Sequence, residues 1–236
     1  MKKLASLLGV LGIAAAVPMA HAAIQISYSI NGGPPTVCAN NPVSSGPTTC
    51  SVSGGGANIQ VLSASSNSPG TPALAQQFGS TLFITTTSAV NITVWMSSQD
   101  FTAPITPPDI TYVSSLSTTS TTGTGKVDLT SCVDTANGLT PPTTAFCSSP
   151  ASTLTNNTET YNGASSTSDT VNTTISSLSG TYSLAQVITM ALGAGSNLNV
   201  ITSQALTPVP EPASVALLGG VVLFAASVIR RKVRRA

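Results

Sequence analysis

The sequence of 236 residues carries only eight basic and seven acidic side chains, 6% charged residues against 41% hydrophobic. Two cations are Lys2 and Lys3 and five lie among the last seven positions, which leaves Lys126 alone between Ala23 and Pro208 against six acids: Asp100, Asp109, Asp128, Asp134, Glu159 and Asp169. A stretch with one lysine, no arginine and a net charge of −5 cannot neutralise a row of phosphates, which excludes nucleic acid as a partner.

The chain opens with Met1-Lys2-Lys3, an apolar run from Leu4 to Val17, and Pro18-Met19-Ala20-His21-Ala22. A basic segment, a short apolar segment and a small-x-small ending are the parts of a secretory signal peptide, with cleavage expected after Ala22 and Ala20-x-Ala22 as the cleavage site. From there to Thr207, polarity comes from hydroxyls: the chain has 34 serines and 34 threonines in place of the usual Lys, Arg and Glu. Thr suits strands, whereas an exposed helix face would be built from Glu, Lys, Arg and Ala. The expected class is therefore mostly β, a single β-sandwich-like exported domain over 23–207 with Ser/Thr-rich loops.

Ile24, Ile26, Tyr28 and Ile30 alternate with Gln25, Ser27 and Ser29, the period of a half-buried strand ended by Asn31-Gly32-Gly33-Pro34-Pro35. Four cysteines follow in two local pairs, and with an oxidising destination they read as disulfides Cys38–Cys50 and Cys132–Cys147, although four cysteines allow three pairings. A metal site would want CxxC spacing or histidine, and the mature chain has neither. The span Cys38 to Cys50 reads as a loop that its bridge holds in place of a core. Asn58 to Ala64 is a strand candidate, and Thr81–Thr87 with Val90–Met96 reads as a hairpin turning at Ser88-Ala89. Ile110–Leu116 and Lys126–Val133 read as strands separated by a Ser/Thr/Gly run, Ser117 to Gly125. Ala151 to Ser179 is nearly all Ser, Thr and Asn, which fits either strands or a loosely ordered surface segment. Thr181–Leu192 and Asn197–Leu206 read as a final hairpin, although Leu184, Val187 and Ile188 also match helical spacing. Aromatic residues are scarce, so the core is expected to rest on Val, Ile and Leu.

At the C-terminus, Ala213 to Ile229 is free of charge and is followed by Arg230-Arg231-Lys232-Val233-Arg234-Arg235. At ~1.5 Å per residue the run covers about 25 Å as a helix, enough to cross a ~30 Å hydrocarbon layer with some snorkelling or thinning. The cations Arg230, Arg231, Lys232, Arg234 and Arg235 would stop transfer and stay on the cytoplasmic side. Both ends thus predict one topology, domain outside and tail inside.

Val209-Pro210-Glu211-Pro212-Ala213-Ser214, with the apolar run and the basic end, resembles the PEP-CTERM sorting signal of Gram-negative bacteria over 28 residues, Val209 to Ala236. The resemblance implies recognition of Pro210, Glu211 and Pro212 by exosortase, a membrane-embedded cysteine protease. It also implies transient anchoring in the inner membrane, then release or re-anchoring at the cell surface or in the extracellular matrix. Tails of this kind also carry an ice-binding C-terminal name, which is poor evidence of ice binding. The two prolines keep the backbone extended and outside the helix, so a protease meets an accessible segment.

The chemistry of catalysis is thin. The only histidine, His21, belongs to the signal peptide, which leaves no imidazole for a general base, a triad or zinc. No G-x-S-x-G occurs, and Gly123-Thr124-Gly125-Lys126 lacks the remaining parts of a phosphate loop. Asp128 with Asp134, or Asp100 with Asp109, would be the carboxylate pairs of a glycosidase, and Asp128 and Asp134 could reach calcium, but isolated surface acids are the better reading. Asn91, Asn156 and Asn172 begin Asn-x-Thr triplets, and Ser117–Thr124 and Ser165–Thr174 are candidate O-glycosylated tracts. The expectation is a non-enzymatic surface or matrix protein without catalytic residue, cofactor or metal, structural or adhesive in role, in contact with extracellular polysaccharide. The alternative is a carbohydrate-binding or ice-binding module using Thr85-Thr86-Thr87. Glu211 is the one charge between Asp169 and Arg230, so Glu211→Ala should leave the protein at its unprocessed mass in a host that has the sorting enzyme.

Overall fold

In a computed structural model of the chain the described residues are 23–41, 47–106, 108–141, 146–147 and 153–210. Ala20 and Ala22 of the predicted cleavage site lie outside them, as do Glu211, Pro212 and the apolar and basic tail with Arg230, Arg231, Lys232, Arg234 and Arg235. The first six strands are β1 (Ile24–Ile30), β2 (Thr36–Asn41), β3 (Thr48–Gly54), β4 (Ala57–Ser66), β5 (Ala75–Thr86) and β6 (Val90–Phe101). The next six are β7 (Ile110–Thr122), β8 (Thr124–Asp134), β9 (Thr153–Asn162), β10 (Ser165–Ile175), β11 (Tyr182–Leu192) and β12 (Asn197–Pro208). They form two six-stranded antiparallel sheets, A in the order β2-β1-β6-β11-β8-β9 and B in the order β10-β7-β12-β5-β4-β3, packed as a β-sandwich. No helix among the described residues is long and apolar enough to cross a membrane.

The period-2 pattern explains the layering. Ile92, Val94 and Met96 of β6, Val127 and Leu129 of β8, and Ile188, Met190 and Leu192 of β11 face inward and meet Ile59, Leu62, Ile84, Leu116, Leu198 and Val200 from sheet B. A second apolar cluster packs Phe101, Ile110, Tyr112, Val133, Tyr182, Leu184 and Leu206. The expectation of a purely aliphatic core is corrected there: Tyr112, Tyr182 and Phe101 are the largest fully buried side chains, and Phe101 stacks on Tyr182 at 5.5 Å. Burial raises the pKa of both tyrosines. They remain protonated donors, Tyr112 to Gln204 Oε1 at 2.7 Å and Tyr182 to the Pro104 carbonyl at 3.2 Å.

Polar side chains join the apolar clusters inside the sandwich. Gln204 Nε2 donates to Gln77 Oε1 (2.9 Å), Thr202 Oγ1 to Gln186 Oε1 (2.8 Å), and Ser98 Oγ to Ser66 Oγ (2.7 Å). Ser114 bonds Ser131 (2.8 Å) and Asn157 (2.9 Å), while Glu159 Oε2 accepts the hydroxyls of Thr118 and Thr167. Gly79 faces inward in the same band, and a Cβ there would overlap Met96 Sδ and Thr202 Oγ1.

Both cysteine pairs are bridged. Cys38–Cys50 joins β2 of sheet A to β3 of sheet B with Cα atoms 6.0 Å apart, and Cys132–Cys147 ties β8 to the connection that follows it, with Cα atoms 6.2 Å apart. Such bridges belong to an extracellular or periplasmic domain. Residues 135–141 lie on the outer face of sheet A, where Gln25 Nε2 reaches the carbonyls of Thr140 (3.1 Å) and Pro141 (2.6 Å) and Ser97 Oγ accepts the Thr140 N–H. That cover explains why Gln25, Ser27, Ser97 and Asp134 are buried although they alternate away from the core.

Several local readings change. Thr81–Met96 is not a hairpin: β5 pairs with β4 and β12, β6 with β1 and β11, so residues 87–89 cross from one sheet to the other. The same holds for the expected final hairpin, since β11 lies in sheet A and β12 in sheet B. In both cases strands with inward apolar residues can meet face to face across the core as readily as edge to edge. Of the Cys38 to Cys50 span, expected as a loop, residues 38–41 belong to β2 and 48–50 to β3. The Ser/Thr-rich run expected to separate two strands is largely strand itself, since 117–122 belongs to β7, and of the two readings left open for 151–179 the strand one holds, since 153–175 is largely β9 and β10. Alternating hydroxyls pair along a strand and still leave one face wet, as when Ser115 bonds Thr170 at 3.1 Å.

Nine of the eleven connections between strands fall into two sets. Turns at 31–35, 55–56, 87–89, 123, 163–164 and 193–196 gather at one end, with Asn31 N–H bonded to Asn91 O, Gly163 N–H to Gly123 O and Thr86 N–H to Ser196 O. Loops 67–74, 102–109 and 176–181 gather at the other, bonded through Thr102 N–H to Pro69 O and Thr106 N–H to Leu178 O. Ala23 and Val209 lie at this loop end too, bonded to Gln99 and Asp109.

Replacing Gln204 by Leu removes the acceptor of Tyr112 and the donor to Gln77 together. Each orphaned buried group costs roughly 1–3 kcal/mol, so a loss of about 2 kcal/mol or more is expected, read as a lower urea midpoint at unchanged m.

Candidate functional site

Across the six strands of sheet B there is one charged side chain, Asp169, and it is turned toward β9, where it accepts the Thr158 N–H at 3.1 Å. The outer face of this sheet is therefore free of charge. It is floored by Ser, Thr, Asn and Gln, among them Asn58 and Gln60 of β4, Gln76 of β5, Ser203 of β12 and the Ser/Thr rows of β7 and β10. Toward β10 the hydroxyls bond one another or backbone, as in Ser117 to Thr167 O (3.3 Å) and Ser115 with Thr170. Toward β4, Ser63 Oγ donates to the Ser80 carbonyl (3.4 Å), while among the described residues no side-chain hydrogen bond engages Asn58 or Gln60.

Three large apolar side chains stand out from this face, Phe78 (45% exposed), Phe83 (57%) and Ile201 (48%). Phe78 lies opposite Ser203 and Ile201 opposite Ser80, so Phe78 and Ile201 are diagonal neighbours on β5 and β12. Phe83 owes its position to a bulge. β5 has two residues, Leu82 and Phe83, between Thr81 and Ile84, where β12 has only Asn199, and Phe83 takes a φ of 56°. A left-handed backbone at a bulky residue costs on the order of 1–3 kcal/mol and tends to persist where a side chain must be aimed. Its consequence here is an aromatic ring held outward, beside Gln60 by register.

Where the face reaches the turn end, a shallow cleft of about 360 Å³ opens between Gly54, Gly56, Ala57, Asn58, Thr85 and Thr87. Asn58 lies opposite Thr85, and the Thr87 N–H closes on the Gly56 carbonyl at 2.9 Å. Cleft and Phe83 are adjacent, which brings stacking surface, amide and hydroxyls together without any ionisable group.

The residues singled out from the sequence are placed as follows. Of Thr85-Thr86-Thr87, Thr85 and Thr87 line the cleft, but Thr86 turns inward, donating to Gly193 O (2.6 Å) and accepting the Ser196 N–H. Asp128 and Asp134 stand six residues apart on β8, roughly 20 Å along a strand, beyond the reach of a paired-carboxylate mechanism. Asp134 is buried and accepts the Ala136 N–H at 2.9 Å. Asp100 is bonded to Asn137 Nδ2 at 2.8 Å, and Asp109 is exposed before β7. No group of three or more His, Cys, Asp or Glu among the described residues could hold a metal ion. Asn91, Asn156 and Asn172 are exposed on strands, Asn156 accepting the Thr130 hydroxyl. Pro210 is exposed just past β12. Phe78, Phe83 and Ile201 were not singled out. The signal was present in an aromatic at a polar position of Gln76-x-Phe78-x-Ser80, but the start of β5 was not read as strand.

No protein family model matches the chain, and no curated protein matches it. Among solved structures, TmCBM61 in complex with beta-1,4-galactotriose is similar at 10% sequence identity and a TM-score of 0.28, covering 62% of this chain and 87% of that one. A superposition at that score fixes neither strand order nor ligand, and none is taken from it.

Lys126 Nζ meets Asp128 Oδ2 at 2.8 Å on the outer face of sheet A, and Thr158 donates to the same carboxylate at 2.7 Å. Partial burial works to raise the Asp128 carboxyl, but the bonds from Lys126 and Thr158 and the lysine charge outweigh it and hold the pKa below the ordinary value. A depressed carboxyl contributes stability above its unfolded pKa that is lost as pH falls through the folded one. Both groups are substantially exposed, so screening keeps the contribution small. Lys126→Met should move the Asp128 titration upward, measured by carbon NMR of the carboxyl.

Proposed function

We propose that the domain is a non-catalytic carbohydrate-binding module that attaches its bearer to neutral extracellular polysaccharide through the outer face of sheet B. The observation that carries this reading is the joint character of that face: free of charge, rich in hydroxyls and amides, and set with Phe78, Phe83 and Ile201. A pyranose ring offers a C–H face that stacks on an aromatic and hydroxyls that pair with Ser, Thr, Asn and Gln. It offers no charge for which a cation would be needed. Phe78 and Phe83 lie five residues apart on β5, roughly 16 Å, a span suited to several consecutive sugar rings rather than one. An array for ice would need Thr at a regular repeat, which the apolar side chains and the inward Thr86 interrupt.

The tail gives this module its address. Its resemblance to a PEP-CTERM signal supports export, transient anchoring in the inner membrane and handling by an exosortase-type protease, with the cell surface or matrix as destination. Adhesion to matrix polysaccharide then unites the structural role with the binding face.

Affinity electrophoresis of residues 23–210, which contain all twelve strands, against neutral polysaccharides and acidic alginate tests the reading. Binding is expected to a neutral polymer and to be insensitive to salt. Phe78→Ala and Phe83→Ala should each weaken it about tenfold, roughly 1.4 kcal/mol, without lowering thermal stability. Retained affinity in the double variant, or binding confined to alginate, would overturn it.

A further inference from the structure

The end of the sandwich at which the chain leaves the fold has no spacer. β12 runs to Pro208, the Val209 N–H is bonded to Asp109 O at 2.7 Å, and Pro210 is exposed immediately beyond. The uncharged run begins at Ala213, three residues after Pro210. Three extended residues reach at most about 10 Å. The headgroup layer on one side of a bilayer takes up roughly 5–8 Å of this. Little remains to separate the fold from the membrane.

The surface at that end suits such a neighbour. Ile105 (44% exposed) and Val209 (38%) are among the few large apolar side chains in water, and Pro72 and Ala73 are exposed on the adjacent 67–74 loop. Loops 67–74 and 102–109 are bonded together through Thr102 N–H to Pro69 O, so they present one surface. The charged groups there are acidic: Asp109 is exposed, Asp100 is held by Asn137 and Asp134 is buried. No cation lies on these loops to draw the end onto anionic lipid, so the contact depends on the tether.

We propose that, in the unprocessed protein, this loop end rests on the outer surface of the bilayer, with Ile105, Pro72 and Val209 against the headgroups. The proposal rests on reading the tail as a membrane anchor. Strands of 12 residues then stand the turn end, with its cleft, roughly 40 Å above the lipid, facing the matrix.

The full chain is reconstituted into phosphatidylcholine vesicles carrying a headgroup nitroxide, in a Trp95→Phe background. Single tryptophans are placed by Ile105→Trp at the loop end and Ala89→Trp at the turn end. Val209→Trp is a second loop-end reporter should the first fail to fold. Protein that floats with the vesicles and loses emission at position 105 or 209, but keeps it at 89, supports the proposal. Protein that floats with no quenching at the loop end, or with equal quenching at both ends, overturns the proposal and leaves the anchor standing. Protein that does not float overturns the anchor and the proposal with it.

Discussion

Hydrogen bonds between polar side chains cross the space between the two sheets, and the height of one sheet against the other depends on them. Ser66 with Ser98, Thr202 with Gln186, Ser114 with Ser131 and Thr118 with Glu159 each join a strand of sheet B to a strand of sheet A. Apolar contact is non-directional, and strands of period two offer nearly equivalent packings two residues apart. Sliding by that step would orphan every one of these buried groups at roughly 1–3 kcal/mol apiece. Aliphatic residues thus supply the drive for burial, and a few hydroxyls and amides decide which arrangement is the native one. Connection 193–196 uses the same device, with Thr86 Oγ1 held between Gly193 O and the Ser196 N–H.

Strand content was legible because it is a local property. Ile24 to Ile30 and Val90 to Met96 alternate cleanly, and both are strands with the expected face inward. Pairing was not legible. The strand signals in Thr81–Thr87 and Val90–Met96 are the same whether the two strands are neighbours in one sheet or opposite each other across the core. The distinction lies in distant partners such as β12 for β5 and β1 for β6. Ser117 to Thr122 and 153–175 were hard for a different reason. Their inward positions are filled by Thr118, Ser120, Thr155, Asn157 and Glu159, so the contrast that marks a buried face is missing and only the partner's hydroxyl reveals the direction. The cysteine pairs could be read since each is close in sequence. That one bridge joins opposite sheets could not. Phe83 is illegible for a third reason, because its outward aim comes from one extra residue in β5 relative to β12.

The scarcity of charge has to be managed at the sheet edges, where unpaired strands invite a second chain. β9 and β10 are the outer strands on one side, and each carries one acid on its inward row, Glu159 and Asp169. Asp169 accepts the Thr158 N–H of β9, so one backbone group of that edge strand is engaged from within. At the opposite side, β2 and β3 are fastened to each other by Cys38–Cys50. Two carboxylates and one disulfide thus stand at the edges of six-stranded sheets rich in Thr, Val and Ile.

Placing the acids inward, on sheet A or, for Asp109, in the loop before β7 has a further effect, since it leaves the outer face of sheet B able to discriminate only by shape, stacking and neutral hydrogen bonds. Charged partners gain nothing there, and long-range steering is absent. Contact must instead be built from many weak, short-range interactions, which favours a repetitive polymer presented at high local concentration over a small soluble ligand. On the proposed reading, a face carried on a membrane tether, or held in a matrix after release, meets that kind of partner. The bulge at Phe83 fits this economy: in a surface of hydroxyls, a ring aimed outward beside Gln60 is the most exposed large apolar side chain of the sheet.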